Sequence, residues 1–183
     1  MMTEASTPDA GRGGPEDGFR KGLLSLIPHL RAFARGLCGR PDLADDLVQE
    51  TVMKAWAARD RYEPGTNMKA WTFTILRNHF LNEIRRSSRM TDMGEGIEHP
   101  DLVARASQED AVHVSDLESA LHRLPEDRRE ALLLVGAGGF SYEEAAQVCG
   151  VPAGTIKSRV ARGRAQLAAM LSDEGDAPPN QAG

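Results

Sequence analysis

Residues 141–167 read SYEEAAQVCGVPAGTIKSRVARGRAQL, and this pattern decides the fold of the second half of the chain. Ser141-Tyr142-Glu143-Glu144 has the S-x-x-E form of a capping box, in which the serine hydroxyl and the glutamate satisfy each other's orphan backbone N–H groups. It predicts a helix through Cys149. Gly150-Val151-Pro152 predicts a tight turn, with the glycine in the left-handed conformation that closes a helix. Thr155–Leu171 predicts a second helix. Ala145 and Ala146 are small enough to let the two helices cross closely. A helix, a short glycine turn and a second helix make a helix-turn-helix, whose second helix reads the major groove. Along that helix Ile156, Val160 and Leu167 recur at steps of four and seven and face the core. Ser158 and Arg162 fall opposite that stripe, and Lys157 and Arg159 lie on its flanks. Arginine and lysine donate to guanine or phosphate, and serine serves either. Thr155 stands at the N-terminus, where the helix dipole favours a phosphate. A basic terminal helix by itself is equally a solvated face. The capping boxes, the glycine turn and the separated faces together favour groove reading.

Further upstream, Ser115-Asp116-Leu117-Glu118 is another S-x-x-E sequence, expected to open a helix over Leu117, Ala120, Leu121 and Leu124. Pro125 suits the first turn of a helix over Glu126–Val135, because its missing N–H costs nothing there. Gly136-Ala137-Gly138-Gly139 ends that helix. The first half shows longer periodic runs. Leu23, Leu26, Ile27, Leu30, Phe33, Ala34 and Leu37 predict a helix over Phe19–Cys38, with Pro28 marking a kink or break. Leu43, Leu47, Val48, Val52, Ala55 and Trp56 predict a second over about 43–60. A loop follows over Arg61–Asn67. A third helix starts at Met68 and runs to about Arg89 on Trp71, Ile75, Leu76, Phe80 and Ile84. Trp71 is read as core, since a tryptophan on an apolar stripe more often packs than stacks on a ligand.

Composition narrows the class. The chain has 183 residues, 40% hydrophobic and 27% charged, with only 5% aromatic. Its mean hydropathy is −0.41. An all-β core wants more aromatic and β-branched side chains, so an all-α fold is expected. No apolar run approaches the ~20 residues of a membrane span, and the polar N-terminus lacks a signal-peptide core, so no membrane partner and a cytoplasmic setting are expected. Cys38 and Cys149 stand far apart without a C-x-x-C, which disfavours a disulfide framework or a cysteine zinc site.

Charge divides the chain. Its formal net charge is −5, yet residues 17–90 carry 13 basic against 8 acidic side chains. Residues 91–112 hold six acidic residues against Arg105, and residues 113–172 balance at seven each. The expected division is a disordered N-terminus over 1–16, a helical domain over 17–90, an acidic flexible linker over 91–112, a helix-turn-helix domain over 113–172, and a disordered tail over 173–183. Basic charge concentrated in one segment suits a local contact with nucleic acid.

The stretch 141–167 resembles the C-terminal DNA-binding domain of bacterial sigma factors, above all the extracytoplasmic-function (ECF) group. DLADDLVQETVMKAW (42–56) followed by NMKAWTFTILRNHFLNEIRR (67–86) resembles the N-terminal conserved domain of that group. Within it, LLSLIPHLRAFARGLCG (23–39) and GAGGFSYEEAAQVCG (136–150) are similar to EcfG-type sigma factors of the alphaproteobacterial general stress response. The resemblance runs from about Phe19 to Leu171. It implies two small helical domains, of sigma-70 region 2 and region 4 type, that direct RNA polymerase to −35/−10 promoters. It places core polymerase on Asp45, Asp46, Gln49 and Glu50. It places the −10 element, with a flipped base, on the loop residues Tyr62, Thr66 and Asn67 and on Asn78. Arg77, Arg85, Arg86 and Arg89 would hold phosphates nearby. The −35 element falls to Thr155, Lys157, Ser158, Arg159 and Arg162. The acidic linker would thread through polymerase towards the RNA exit path. The implied partners are core RNA polymerase, promoter DNA and an anti-sigma protein of NepR type.

Other classes fit less well. No Gly-Lys-Ser/Thr follows the 136–139 glycines, so there is no P-loop. The five histidines form no H-E-x-x-H and no pair with cysteine, so no catalytic metal, cofactor or small-molecule substrate is expected, and no enzyme. A sigma mimic that only sequesters the anti-sigma protein would carry a receiver domain and need no basic recognition helix. A stand-alone helix-turn-helix regulator would leave the first half unexplained.

Overall fold

The computed structural model describes residues 14–92 and 112–175, and every element among them is helical. Most of the two expected tails and of the acidic linker lies outside the described residues. The helices are α1 (Pro15–Cys38), α2 (Pro41–Ala57), a 3₁₀ turn at Arg59–Arg61, α3 (Met68–Asp92), α4 (Val112–Arg123), α5 (Glu126–Val135), α6 (Tyr142–Cys149) and α7 (Ala153–Gly175). α1 to α3 form one group and α4 to α7 a second.

Several boundaries differ from the sequence reading. α1 starts at Pro15, inside the segment expected to be disordered, because proline is preset for the first turn. It passes through Pro28 as one helix. Pro28 is exposed, and so is Leu24, whose carbonyl the proline frees, so water can satisfy that group. α3 continues to Asp92, and α4 opens at Val112. Both ends encroach on the expected linker, and Ser115 lies within a helix rather than at its cap. α7 extends past Leu171 to Gly175. The helix expected over 43–60 ends as α2 at Ala57 and hands over to the 3₁₀ turn.

The two groups are not independent. Leu30, Phe33, Leu37, Phe73, Leu76 and Phe80 of the first share one continuous apolar cluster with Leu133, Leu134, Phe140, Val148, Ile156 and Val160 of the second. Phe73 is 0% exposed. It packs on Phe33 at 5.1 Å and edge-on against Phe140 at 4.9 Å. At Gly36 of α1 a Cβ would stand 2.4 Å from Leu133 of α5, so α1 and α5 meet where there is no side chain. A second cluster sits at the far end of the first group. Phe19, Leu23 and Ala55 are buried there against Trp56, Tyr62, Met68, Trp71 and Ile75. Trp71 is therefore a packing residue, as its stripe position implies.

Charge also enters the interface. Arg129 of α5 is buried, donating to the His122 carbonyl at 3.2 Å and lying 3.4 Å from its Nδ1. Nε of Arg129 has no partner among the described residues. Burial, and then the Arg129 charge, push His122 below the usual histidine range. The folded chain thus holds His122 neutral, while the unfolded chain takes up a proton near pH ~6.5. The contribution is complete above that pH and is lost as pH falls towards the folded pKa. The melting temperature is expected to fall between pH 7 and pH 5, and His122→Gln to flatten that slope, as measured by thermal unfolding at matched ionic strength.

Candidate nucleic-acid interface

The helix-turn-helix forms as its sequence dictates. The Ser141 hydroxyl accepts from the Glu144 N–H at 3.1 Å, and Glu144 accepts from the Ser141 N–H at 2.8 Å. These bonds, the Ser141 backbone N–H first, hold the Glu144 carboxyl below its usual range. Gly150 closes α6 at φ 67°, left-handed as expected, and Val151 N–H bonds back to the Ala146 carbonyl at 3.1 Å. Ile156 and Val160 seat α7 on the core. Gly163 lies where a Cβ would come within 2.8 Å of Leu132, so α7 also approaches α5 closely.

This packing presents the expected −35 residues in different ways. Lys157 and Arg162 are exposed, with no partner among the described residues. Ser158 donates back to the Thr155 carbonyl at 2.9 Å, which ties up its proton but leaves its lone pairs. Thr155 is half-buried at the helix start. Arg159 is held by Asp127 of α5 at 3.1 Å. Contact with DNA at Arg159 must therefore displace or accommodate a carboxylate.

The expected −10 residues are more dispersed. Tyr62 is half-buried, 5.5 Å from Phe19 and 5.4 Å from Trp71, and its hydroxyl donates to the Thr66 carbonyl at 2.9 Å. Thr66 donates to the Glu63 carbonyl at 2.7 Å, and Gly65 takes φ 89°. These bonds fix the loop. Beside it opens a cavity of about 540 Å³ lined by Glu16, Phe19, Arg59, Tyr62, Pro64 and Met68. Asn78 does not line it. The asparagine sits ten residues beyond Met68, about 15 Å along α3, and is exposed. Asn67 caps α3, accepting from the Ala70 N–H at 3.0 Å, while its amide donates to Glu144 at 2.7 Å. Arg77 is turned away from solvent and grips Glu130 of α5 with two bonds, 2.6 and 3.3 Å. Despite burial, that bond and the Glu130 charge hold the Arg77 guanidinium above its ordinary range. Arg85, Arg86 and Arg89 are exposed. Two of the expected DNA residues, Asn67 and Arg77, are thus engaged by the second helical group.

The expected polymerase residues form a coherent face. Asp45, Asp46, Gln49 and Glu50 all stand exposed on α2. Arg31 of α1 donates to Asp45 at 2.7 Å, and Lys54 lies 4.0 Å from Glu50. Met53, at 59% exposure, continues this face one turn on. A smaller cavity, about 240 Å³, opens beside it between Leu43, Asp46, Leu47, Glu50, His79 and Phe80. Burial, and then the charge of Lys54, keep His79 below the usual histidine range.

Two residues of consequence carried no sequence signal of their own. Glu130 and Arg129 read as ordinary charges in EDRREALLLV, yet both are buried. Their phase with Ala131, Leu133 and Leu134 is the only hint, and it needs a partner surface to become meaningful. The cysteines are likewise buried. Burial pushes the Cys38 thiol up to about 11 and that of Cys149 up to about 12.

Comparison with known proteins agrees with the all-helical fold. Residues 24–90 match Sigma-70 region 2, and residues 115–167 match Sigma-70, region 4. A relative from Rhodopseudomonas palustris, the ECF RNA polymerase sigma factor EcfG, is 47% identical over 159 residues, covering 87% of this chain and 88% of the relative. The chain belongs to the ECF RNA polymerase sigma factors. Among solved structures, the sigma factor RpoE of Bartonella quintana, in complex with the anti-sigma factor NepR, superposes with a TM-score of 0.75 at 46% identity. That match covers 85% of this chain and 97% of the other. CnrH, in complex with the cytosolic domain of CnrY, gives 0.65 at 28% identity over 90% and 92%. As a sigma factor, the chain acts with RNA polymerase on promoters. No helix among the described residues is long and apolar enough to cross a membrane.

The cap makes one quantity accessible. Ser141→Ala removes the acceptor for the Glu144 N–H and is expected to lower stability by about 1 kcal/mol. Urea unfolding followed by circular dichroism measures it, with Ser141→Asp as the variant that preserves the cap.

Proposed function

We propose that this sigma factor serves the general stress response and is held in check by an anti-sigma protein of NepR type. The support is its 47% identity to an EcfG sigma factor and its 46% identity to a sigma factor solved with NepR. In this reading residues 17–90 form the unit for core polymerase and the −10 element. Residues 113–172 form the −35 unit, and 91–112 connect them. The protein works in the cytoplasm and makes or breaks no covalent bond itself. It lends polymerase its sequence specificity.

The roles divide by chemistry. Asp45, Asp46, Gln49 and Glu50 give α2 an exposed acidic face for a basic surface of core polymerase, with Met53 as the apolar contact among the charges. Tyr62, Thr66 and Asn67 shape the loop beside an aromatic hollow in which an unstacked base gains stacking. Stacking of this kind is worth ~1–3 kcal/mol per base, comparable to the cost of flipping it. Asn78 offers both donor and acceptor, and Arg77, Arg85, Arg86 and Arg89 offer charge to phosphates. In α7 Lys157 and Arg162 carry the reading best, because no contact among the described residues has to be given up for them to reach a base edge. Thr155, Ser158 and Arg159 complete that surface.

Run-off transcription with purified core polymerase tests the whole reading, on a template with an EcfG-type promoter. Initiation is expected to depend on this protein. Arg159→Ala and Arg162→Ala are expected to lose −35-dependent transcripts while binding core polymerase normally, and loss of core binding in either would contradict the assignment. Charge reversal at Asp46 and Glu50 should weaken core binding instead, in a pull-down with the purified enzyme.

A further inference from the structure

The acidic face of α2 does not end at α2. Beside it, between α2 and α3, lies the smaller cavity of about 240 Å³. Its floor is apolar, made by Cys38 at the end of α1, Leu47 of α2 and Phe80 of α3, all buried in the core. Its rim is acidic. Asp46 and Glu50 stand on the α2 wall, and Glu83 stands on the α3 wall one turn beyond His79. Asp46 and Glu83 have no ion-pair partner among the described residues. Lys54 lies 4.0 Å from Glu50 but donates to His79 Nδ1 at 2.9 Å. An ammonium only donates, so the His79 ring is neutral here and carries its proton on Nε2. The ring thus gives Lys54 an acceptor other than the rim carboxylates, and the rim is left largely uncompensated.

A slot with an apolar floor and carboxylates round its mouth suits a long cationic side chain. The aliphatic stem packs below while the charged head stays among acceptors. A metal ion needs ligands that converge on one point, and no three His, Cys, Asp or Glu side chains among the described residues are placed to hold one. A guanidinium answers carboxylates on two walls better than an ammonium, because it spreads five donors over a rigid plane. We propose that this slot receives an arginine of core RNA polymerase, with Glu83 of α3 completing the contact that Asp46 and Glu50 begin on α2. The inference rests on the polymerase reading of the α2 face. Continuity carries it further: Asp46 and Glu50 belong to both the face and the slot, so a partner docked on the one lies over the mouth of the other. Arginines seated in desolvated pockets are among the residues that dominate interface energies. Glu83 is then a specificity residue for polymerase on a helix otherwise assigned to promoter DNA.

The test titrates the full chain, labelled at its N-terminus, with purified core polymerase and reads fluorescence anisotropy. Glu83→Lys is expected to weaken binding by about tenfold or more, and Glu83→Gln, which keeps the volume and removes the charge, by less. Asn82→Lys, on the same exposed turn of α3 and outside the cavity, is expected to bind as the wild type does. Circular dichroism confirms that each variant is folded. Glu83→Cys carrying a benzophenone then identifies the occupant by photo-cross-linking and mass spectrometry; the native cysteines are buried and their thiols stay protonated. The expected product is a polymerase peptide with an arginine at or beside the attachment point, and a peptide without one would overturn the arginine. Normal core binding by E83K, with D46K and E50K weakened, would overturn the slot and leave the α2 face standing. Normal binding by all three would take the reading beneath it as well. Equal losses in N82K and E83K would reduce the effect to general charge, and the slot would fall. A loss in E83K confined to an anti-sigma protein of NepR type would assign the slot to that partner and overturn the proposal.

Discussion

Phe73 must be covered, and most of this structure follows from how that is done. α3 runs for 25 residues and buries side chains on more than one flank. One face carries Phe73, Leu76 and Phe80 at i, i+3 and i+7, and Phe73 there meets Phe33 of α1 on one side and the edge of Phe140 on the other. Fully burying a phenylalanine gains about 1.5–3 kcal/mol over leaving it in water. The 136–140 turn supplies the missing wall, and with it the second helical group is brought against the first.

A buried ion pair inside such an interface is not primarily a source of stability. Taking Arg77 and Glu130 out of water costs nearly what their attraction returns, whereas removing only one partner strands a charge at a cost of about 3–5 kcal/mol. What the pair supplies is register. Two oxygens on one guanidinium fix α5 along α3 and in rotation about it, which apolar contact alone does not do. The glycine at position 36 performs the complementary task on α1, letting Leu133 settle where any side chain would hold it off. Apolar burial decides that the groups meet, while charge and glycine decide how.

The same economy explains the difference between the two surfaces proposed to face DNA. α7 buries Ile156 and Val160 and turns Lys157 and Arg162 outward, so its polar face is finished within its own group. The proposed −10 face is composed of a loop and one helix that also serve the interface. Tyr62 contributes to an aromatic cluster, Asn67 to a helix cap, and Arg77 to an ion pair. Each of these residues has a structural partner and a functional assignment, and the two uses draw on the same atoms.

Local chemistry was legible in the chain itself. Ser141 and Glu144 announce the α6 cap, Gly150 its end, Pro125 the start of α5, and the stripe of Ile156 and Val160 the buried side of α7, because each depends on neighbours within about one helical turn. The all-α class, the helix-turn-helix and the candidate DNA and polymerase residues came from the same short-range patterns and from family resemblance. Tertiary structure decided what those patterns leave open. Phe73 shares a face with Leu76 and Phe80, but nothing local says that Phe140 closes over it. Glu130 is 53 residues from Arg77, and Glu144 is 77 from Asn67. No periodicity spans such separations, so a charge destined for a buried pair looks in sequence like any solvated one. Helices, caps and faces were written locally; which faces meet, and which candidate residues are covered when they do, is settled only by the packing of one group on the other.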